Sequence, residues 1–109
     1  MKGLIDQMKE CKSIEECHVV ATVDAYDDYE RACSWLTCVE EMFGKFDRVR
    51  VLGQEFVLEG FDLVNDSSII VICKGGKRKA KIALESVEFP KLTTVEILWL
   101  TAWEEWSSR

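Results

Sequence analysis

Residues 23–35 read VDAYDDYERACSW and join an acidic segment to the first tryptophan of the 109-residue chain. From Asp27 onward the apolar residues recur at every third or fourth position, which is the spacing of one face of an α-helix. They are Tyr29, Ala32, Cys33, Leu36, Val39, Met42 and Phe43. Asp27 with Glu30 three residues later is typical of a helix start, and Gly44 is typical of a helix end. The stretch therefore predicts a long amphipathic helix from Asp27 to Phe43.

Two shorter helices are predicted before this one. Apolar residues at helical spacing indicate the first, and they are Leu4, Ile5, Met8 and Cys11. Ser13 followed by Glu16 forms a second capping box. Residues 18–24 are open to two interpretations, because their β-branched side chains fit a strand while the capping box favours a helix. We adopt the helix, so that residues 1–44 form a helical half.

Beyond Gly44 the hydrophobic period falls from 3.6 to 2, which indicates β-strands. Gly60 interrupts the alternation where we expect a bulge. A Gly75-Gly76 loop between two apolar runs is typical of a hairpin, and it places Val71 opposite Ala80. Five short strands across residues 46–89 predict an antiparallel SH3-like barrel, since closing the sheet removes its unpaired edges.

A final helix is predicted over residues 93–106, after Pro90 ends the sheet. Its apolar residues leave almost no polar face, and such a helix is normally buried on more than one side. We expect one side to pack on the rest of the chain and the other to form a homodimer interface. The expected interface residues are Ile97, Leu100, Trp103 and Trp106. The alternative is that the N-terminal helix covers this side and leaves the protein monomeric.

Length and composition predict a single α+β domain over residues 1–109. The formal net charge of −6 argues against general nucleic-acid binding. Because the chain has no membrane-length apolar run and turns acidic too early for a signal peptide, we expect a cytoplasmic protein. Five cysteines without a C-x-x-C pair, beside a lone histidine, lack the spacing of a zinc site. No catalytic motif is found either, so we expect no enzyme.

Two groups of acidic residues could hold a hard cation, which prefers several oxygen ligands. The first group is Asp24, Asp27, Asp28 and Glu30, and the second is Asp62, Asn65 and Asp66. Against a metal, the sequence has no EF-hand loop, and the first group begins a helix, whose N-terminus repels cations. Two other functions stay open. One is a protein-interaction module that uses the aromatic last helix, and the other is nucleic-acid contact through the basic hairpin at residues 74–81.

A resemblance to a known family adds to these interpretations. Together with residues 23–35, three later motifs occur in the family's order, and they are Val49-Arg-Val-Leu-Gly53, residues 82–87 and Trp103-Glu-Glu-Trp106. In this order they resemble the CcbP family of small cyanobacterial calcium-binding proteins. The chain departs from the family in residues 36–39, which lack its aromatic run, in a shorter linker after the first long helix, and in the lysines near residue 77.

The resemblance implies a non-enzymatic protein that binds Ca²⁺ through its acidic side chains. Asp24, Asp27 and Asp28 are the preferred candidates, with Glu30, Asp62 and Asp66 as further ones. Exposed and incompletely caged calcium sites are weak, so we expect a dissociation constant on the order of 10⁻⁵ to 10⁻³ M.

Overall fold

The computed structural model of the chain describes residues 3–65 and 67–108. Its helices are α1 (Leu4–Lys9), α2 (Ile14–Thr22), α3 (Asp28–Phe43) and α4 (Thr94–Ser107). Its strands are β1 (Arg48–Val51), β2 (Gln54–Val64), β3 (Ser68–Gly75) and β4 (Arg78–Ala83), followed by a 3-10 turn at Leu84–Ser86. This confirms the α+β class. None of these helices is long and apolar enough to cross a membrane.

The predicted helix starts are confirmed by side chains that accept hydrogen bonds from the first turn. Ser13 accepts from the Glu16 amide, and Asp27 accepts from the Glu30 amide at 2.8 Å. Thr93 forms a complete capping box with Glu96. Because residues 14–22 are helical, the ambiguous segment is resolved in favour of the helix that the capping box indicated.

The four strands form one antiparallel sheet in the order β1-β2-β3-β4. The predicted bulge at Gly60 is present as a register shift between Leu58 and Gly60. On β3, Ile69, Val71 and Cys73 are buried, while the residues between them lie on the outer face. The sheet therefore covers the core with one face, as an antiparallel sheet commonly does.

The β3–β4 hairpin has a different register from the expected one. Val71 lies opposite Ile82 rather than Ala80, and the turn is formed by Gly76 and Lys77. Gly75 stays in the strand, where it pairs with Arg78. The ring of Phe56 covers it, and a Cβ atom there would lie 2.7 Å from that ring. Gly76 supplies the positive φ of +62° that the turn requires. A shift of two residues leaves the inner and outer faces unchanged.

The prediction of a closed five-stranded SH3-like barrel is wrong, because the described part of the chain forms an open four-stranded sheet. The segment after the 3-10 turn pairs with β1 only through an isolated bridge between Arg50 and Glu88. Pro90 has no N–H to continue the pairing, and Lys91 has a φ of +51° that turns the chain away. Phe89 packs instead against Phe43, with ring centroids 5.0 Å apart.

The centre of the helical layer is Trp35 on α3, which is fully buried. Its ring lies within 6.0 Å of the rings of four aromatic residues from α2 and α4. They are His18, Trp99, Trp103 and Trp106. Two of these indoles are also anchored by their N–H groups, since Trp99 donates to the Met8 carbonyl and Trp103 donates to the Glu85 carboxylate.

An ion pair between a buried glutamate and a half-exposed lysine lies at the start of α4. Glu96 is buried, and its Oε2 atom lies 2.5 Å from Nζ of Lys45, just beyond the end of α3. Its Oε1 atom accepts from the Thr93 amide at 2.8 Å. Burial by itself raises the pKa of Glu96, but the ion pair and the hydrogen bonds outweigh it and hold this pKa below its ordinary value of 4.5.

This lowered pKa makes the ion pair testable. The stabilisation from Glu96 is present above the ordinary pKa and is lost as the pH falls through the folded-state pKa. In Lys45→Met, only the hydrogen bonds with Thr93 still oppose the effect of burial on the pKa of Glu96, so we expect this pKa to rise. NMR titration of the Glu96 carboxyl measures it, with Lys45→Arg as the charge-conserving control. An unchanged Glu96 pKa in Lys45→Met would contradict this account.

The position of Trp35 predicts a large cost for its removal. Trp35→Ala should lower the free energy of unfolding by about 3–5 kcal/mol, because a fully buried indole leaves a cavity that the helices cannot fill. Trp106→Ala is the matched control and should cost less, since this side chain is only partly buried. Urea denaturation followed by far-UV circular dichroism gives both values. Equal costs for the two variants would show that Trp35 has no special position.

Candidate functional site

A surface groove of about 430 Å³ opens where the helical layer meets one end of the sheet. Four parts of the chain line it: α2, the first turn of α3, the β2–β3 turn and the end of α4. The lining residues are His18, Thr22, Asp28, Arg31, Ser67, Trp106 and Ser107. Its size falls within the range of small-molecule sites. Most of the described residues that line it have polar or charged side chains. We treat this groove as the candidate functional site.

His18 is held in place on one side of the groove. Its Nε2 atom lies 3.2 Å from the Ala102 carbonyl oxygen and 2.9 Å from Oε2 of Glu105. Both neighbours are acceptors, so Nε2 carries a proton and donates. The ring also packs edge-on against Trp35 at 5.7 Å. His18 therefore joins α2 to α4.

Asp28 is the one predicted metal ligand, among the described residues, that lines the groove. It occupies the first position of α3, and its side chain is 95% exposed. Oδ1 accepts a hydrogen bond from Nη1 of Arg31 at 3.2 Å, one helical turn further on. An exposed pair of this kind contributes little to stability, so the Asp28 carboxylate can exchange its partner.

The neighbouring acidic residues serve the start of the helix. Asp27 caps α3, and Oε2 of Glu30 accepts from the Tyr26 amide at 2.9 Å. Asp24 lies in the turn between α2 and α3 with a φ of +65°, a conformation that aspartate tolerates better than most residues. The carboxylates of Asp27 and Glu30 thus have structural roles that do not require a metal.

Asp62 and Asn65, the described members of the second acidic group, do not line the groove that Asp28 lines. Asp62 is exposed on β2, outside the groove lining, and its Oδ1 atom accepts from the Leu63 amide. Asp66 lies outside the described residues. Ser67 lines the groove, as Asp28 does. Across residues 3–65 and 67–108, no three acidic, histidine or cysteine side chains are grouped so as to hold a metal ion.

Burial keeps the thiols neutral. It raises the pKa of Cys17 and of Cys38 to about 12, and that of Cys73 above its ordinary value. Cys73 on β3 lies in the core. Cys33, which the sequence placed on the apolar face of α3, is only partly buried.

The expected dimer interface on α4 is partly taken up by the chain itself. Trp103 is buried against Trp35, which corrects the expectation that it faces outward. Trp106 is partly buried and stacks on Trp103 at 5.5 Å. Leu100 is also partly buried, while Ile97 remains 52% exposed. Helix α2 packs on α4, whereas the alternative account assigned this cover to the N-terminal helix. The homodimer itself stays a prediction.

Three lysines of the basic hairpin lie on the face of the sheet that points away from the core. Lys74, Lys77, Arg78 and Lys81 are exposed. Lys79 is paired with Glu59 at 3.5 Å. Lys74, Lys79 and Lys81 lie on the outer face of strands β3 and β4. Nucleic-acid contact through residues 74–81 stays a prediction.

Most of the groove was not indicated by the sequence. Thr22, Arg31 and Ser67 were not candidates, because each lies in a different element and no local spacing connects them. Only the pairing of α2 with α4 and the position of the β2–β3 turn bring them together. Only information on contacts between residues far apart in the sequence could have identified this groove.

Comparison with known proteins supports the architecture. No protein-family model matches the sequence, and no curated protein matches it either. The crystal structure of Anabaena CcbP does match, with a TM-score of 0.67 over 92% of this chain and 95% of the CcbP chain. The chain has a CcbP-like fold. At 16% identity the likeness to CcbP establishes the fold alone, and it extends over helices and sheet alike.

The capping role of Asp27 can be separated from a metal role without any metal. With a chelator present, Asp27→Ala should lower the free energy of unfolding by about 1 kcal/mol, since the Glu30 amide loses its acceptor. Asp27→Asn should cost little because asparagine caps equally well. Asp28→Asn should stay within about 0.5 kcal/mol of the wild type. Urea denaturation provides the values, and an Asn variant as unstable as the Ala variant would contradict the capping role.

Proposed function

We propose that this protein binds Ca²⁺ weakly through the carboxylates at the start of α3. Asp28 is the ligand on the groove side, and Asp24 and Asp27 supply further charge from the adjoining turn. The CcbP-like fold over 92% of the chain carries the proposal. The acidic stretch at residues 23–35, which resembles the calcium-binding family, adds to it.

The groove offers the kind of oxygen donors that calcium prefers. The Asp28 carboxylate is exposed and only weakly engaged by Arg31. The hydroxyls of Thr22 and Ser67 line the same groove and can add neutral oxygens. Calcium takes six to eight oxygen ligands, so water must complete the shell here. These residues fit an open, partly hydrated site rather than a closed cage.

Two charges oppose a cation at this position and keep the affinity low. The Arg31 guanidinium already occupies part of the Asp28 carboxylate. The N-terminus of α3 carries the positive end of the helix dipole. With few carboxylates to balance them, the dissociation constant belongs on the order of 10⁻⁵ to 10⁻³ M.

Calorimetric titration with Ca²⁺ tests the proposal, with Mg²⁺ as the competing ion. Replacing Asp24, Asp27 and Asp28 together by Asn should abolish the binding heat. The fold should remain, because Asn at position 27 still caps α3. Arg31→Gln should strengthen binding by about twofold, since it removes a competitor whose exposed ion pair is weak.

A matched control removes three charges elsewhere. Asp6→Asn, Glu40→Gln and Asp47→Asn change exposed carboxylates outside the groove and should leave the calcium heat nearly unchanged. If both triple variants lose the binding heat equally, Ca²⁺ is attracted only by the net charge of the protein and not by a site at the start of α3. If the wild type gives no heat at millimolar Ca²⁺, the calcium function fails and the protein-interaction module becomes the leading alternative.

A further inference from the structure

A second groove lies between α1 and α2, away from the candidate calcium site. Its volume is about 420 Å³. The apolar side chains of Cys11, Val19 and Val20 contribute to its lining. Burial raises the pKa of the Cys11 thiol, so this side chain stays neutral and behaves as a small apolar group. The lining thus includes a continuous apolar surface that is open to solvent.

The exposed apolar side chain of Val19 has no structural role in the fold. Val19 lies on α2, lines the groove and is 65% exposed. Valine forms helices less readily than alanine or lysine, and at an exposed position it gains no burial in return. A large exposed apolar side chain beside an apolar lining is typical of a binding surface.

Carboxylates surround the apolar lining and indicate the charge of the partner. Glu10, Glu15 and Glu16 line the same groove, and no lysine or arginine among the described residues does so. The whole chain also carries a net charge of −6. A basic partner is therefore attracted at long range and meets acidic side chains around its contact.

We infer that this groove binds a basic amphipathic helix of a partner protein, with apolar side chains on Val19 and Val20 and lysines or arginines beside Glu10, Glu15 and Glu16. The walls of the groove are helices, whose backbone groups are already paired, so an added β-strand finds no edge there. Contact must come from side chains, which is how an amphipathic helix fills an apolar groove.

A synthetic peptide of Leu and Lys, about 15 residues long and patterned as an amphipathic helix, is the probe. Fluorescence anisotropy measures its binding in the presence of a chelator, so that the result does not depend on calcium. A scrambled peptide of the same composition and a Glu-for-Lys peptide are the ligand controls. We expect the patterned basic peptide to bind at least tenfold more tightly than either, roughly one decade in affinity.

Val19→Lys replaces an apolar contact by a positive charge that repels the basic peptide, so it should weaken binding by about tenfold or more. Ile97→Lys makes the same change in net charge at an exposed helical position on α4, and it should have a much smaller effect. Glu15→Gln should weaken binding moderately without touching the apolar lining. Circular dichroism checks that each variant remains folded.

Three results would overturn the inference. If Val19→Lys and Ile97→Lys weaken peptide binding equally, the peptide is attracted only by the net charge of the protein. Equal binding of the scrambled peptide would exclude a patterned contact. The third is a wild type that self-associates in light scattering and becomes monomeric on Val19→Lys, which would assign the groove to a second copy of this chain.

Discussion

The packing of Trp35 against three tryptophans and a histidine holds the helical layer together. Its ring contacts side chains of α2 and α4 while its own backbone belongs to α3, so one side chain fixes the positions of three helices. Its Nε1 atom is buried without a hydrogen-bond partner in the described part of the chain. Burying such a group costs free energy. The surrounding aromatic contacts must offset this cost, which makes their close packing a requirement.

The candidate site is a consequence of the same junction. His18 contacts Trp35 and also lines the groove, and Trp106 does both as well. Asp28 lies two turns before Trp35 on α3, so the depth at which the tryptophan is buried also sets the position of the carboxylate. The groove thus has an inner wall that packs on the buried tryptophan and a polar rim of more exposed side chains.

The sequence was most informative where structure depends on neighbouring residues. The caps at Ser13, Asp27 and Thr93 were predicted because each acts within a single helical turn. Closure of the barrel was not, because it depends on how Pro90 and Lys91 direct the chain after one bridge with β1. In the hairpin, two adjacent glycines left open which of them enters the turn, and Gly75 stays in the strand under the ring of the remote Phe56. Among the candidate ligands that the structure describes, only Asp28 lines the groove, since that site is assembled from four separate elements.

All four tryptophans of the chain belong to one cluster, and this determines what optical methods can detect. Intrinsic indole fluorescence reports directly on the three-helix junction, because no tryptophan lies on a strand. A direct link to the sheet side is the hydrogen bond from Trp103 to Glu85, in the 3-10 turn after β4, so the emission spectrum would respond only weakly if strands β1 and β2 frayed while the helices held. Agreement between indole fluorescence and a backbone probe would therefore be real evidence that helices and sheet unfold as one cooperative unit.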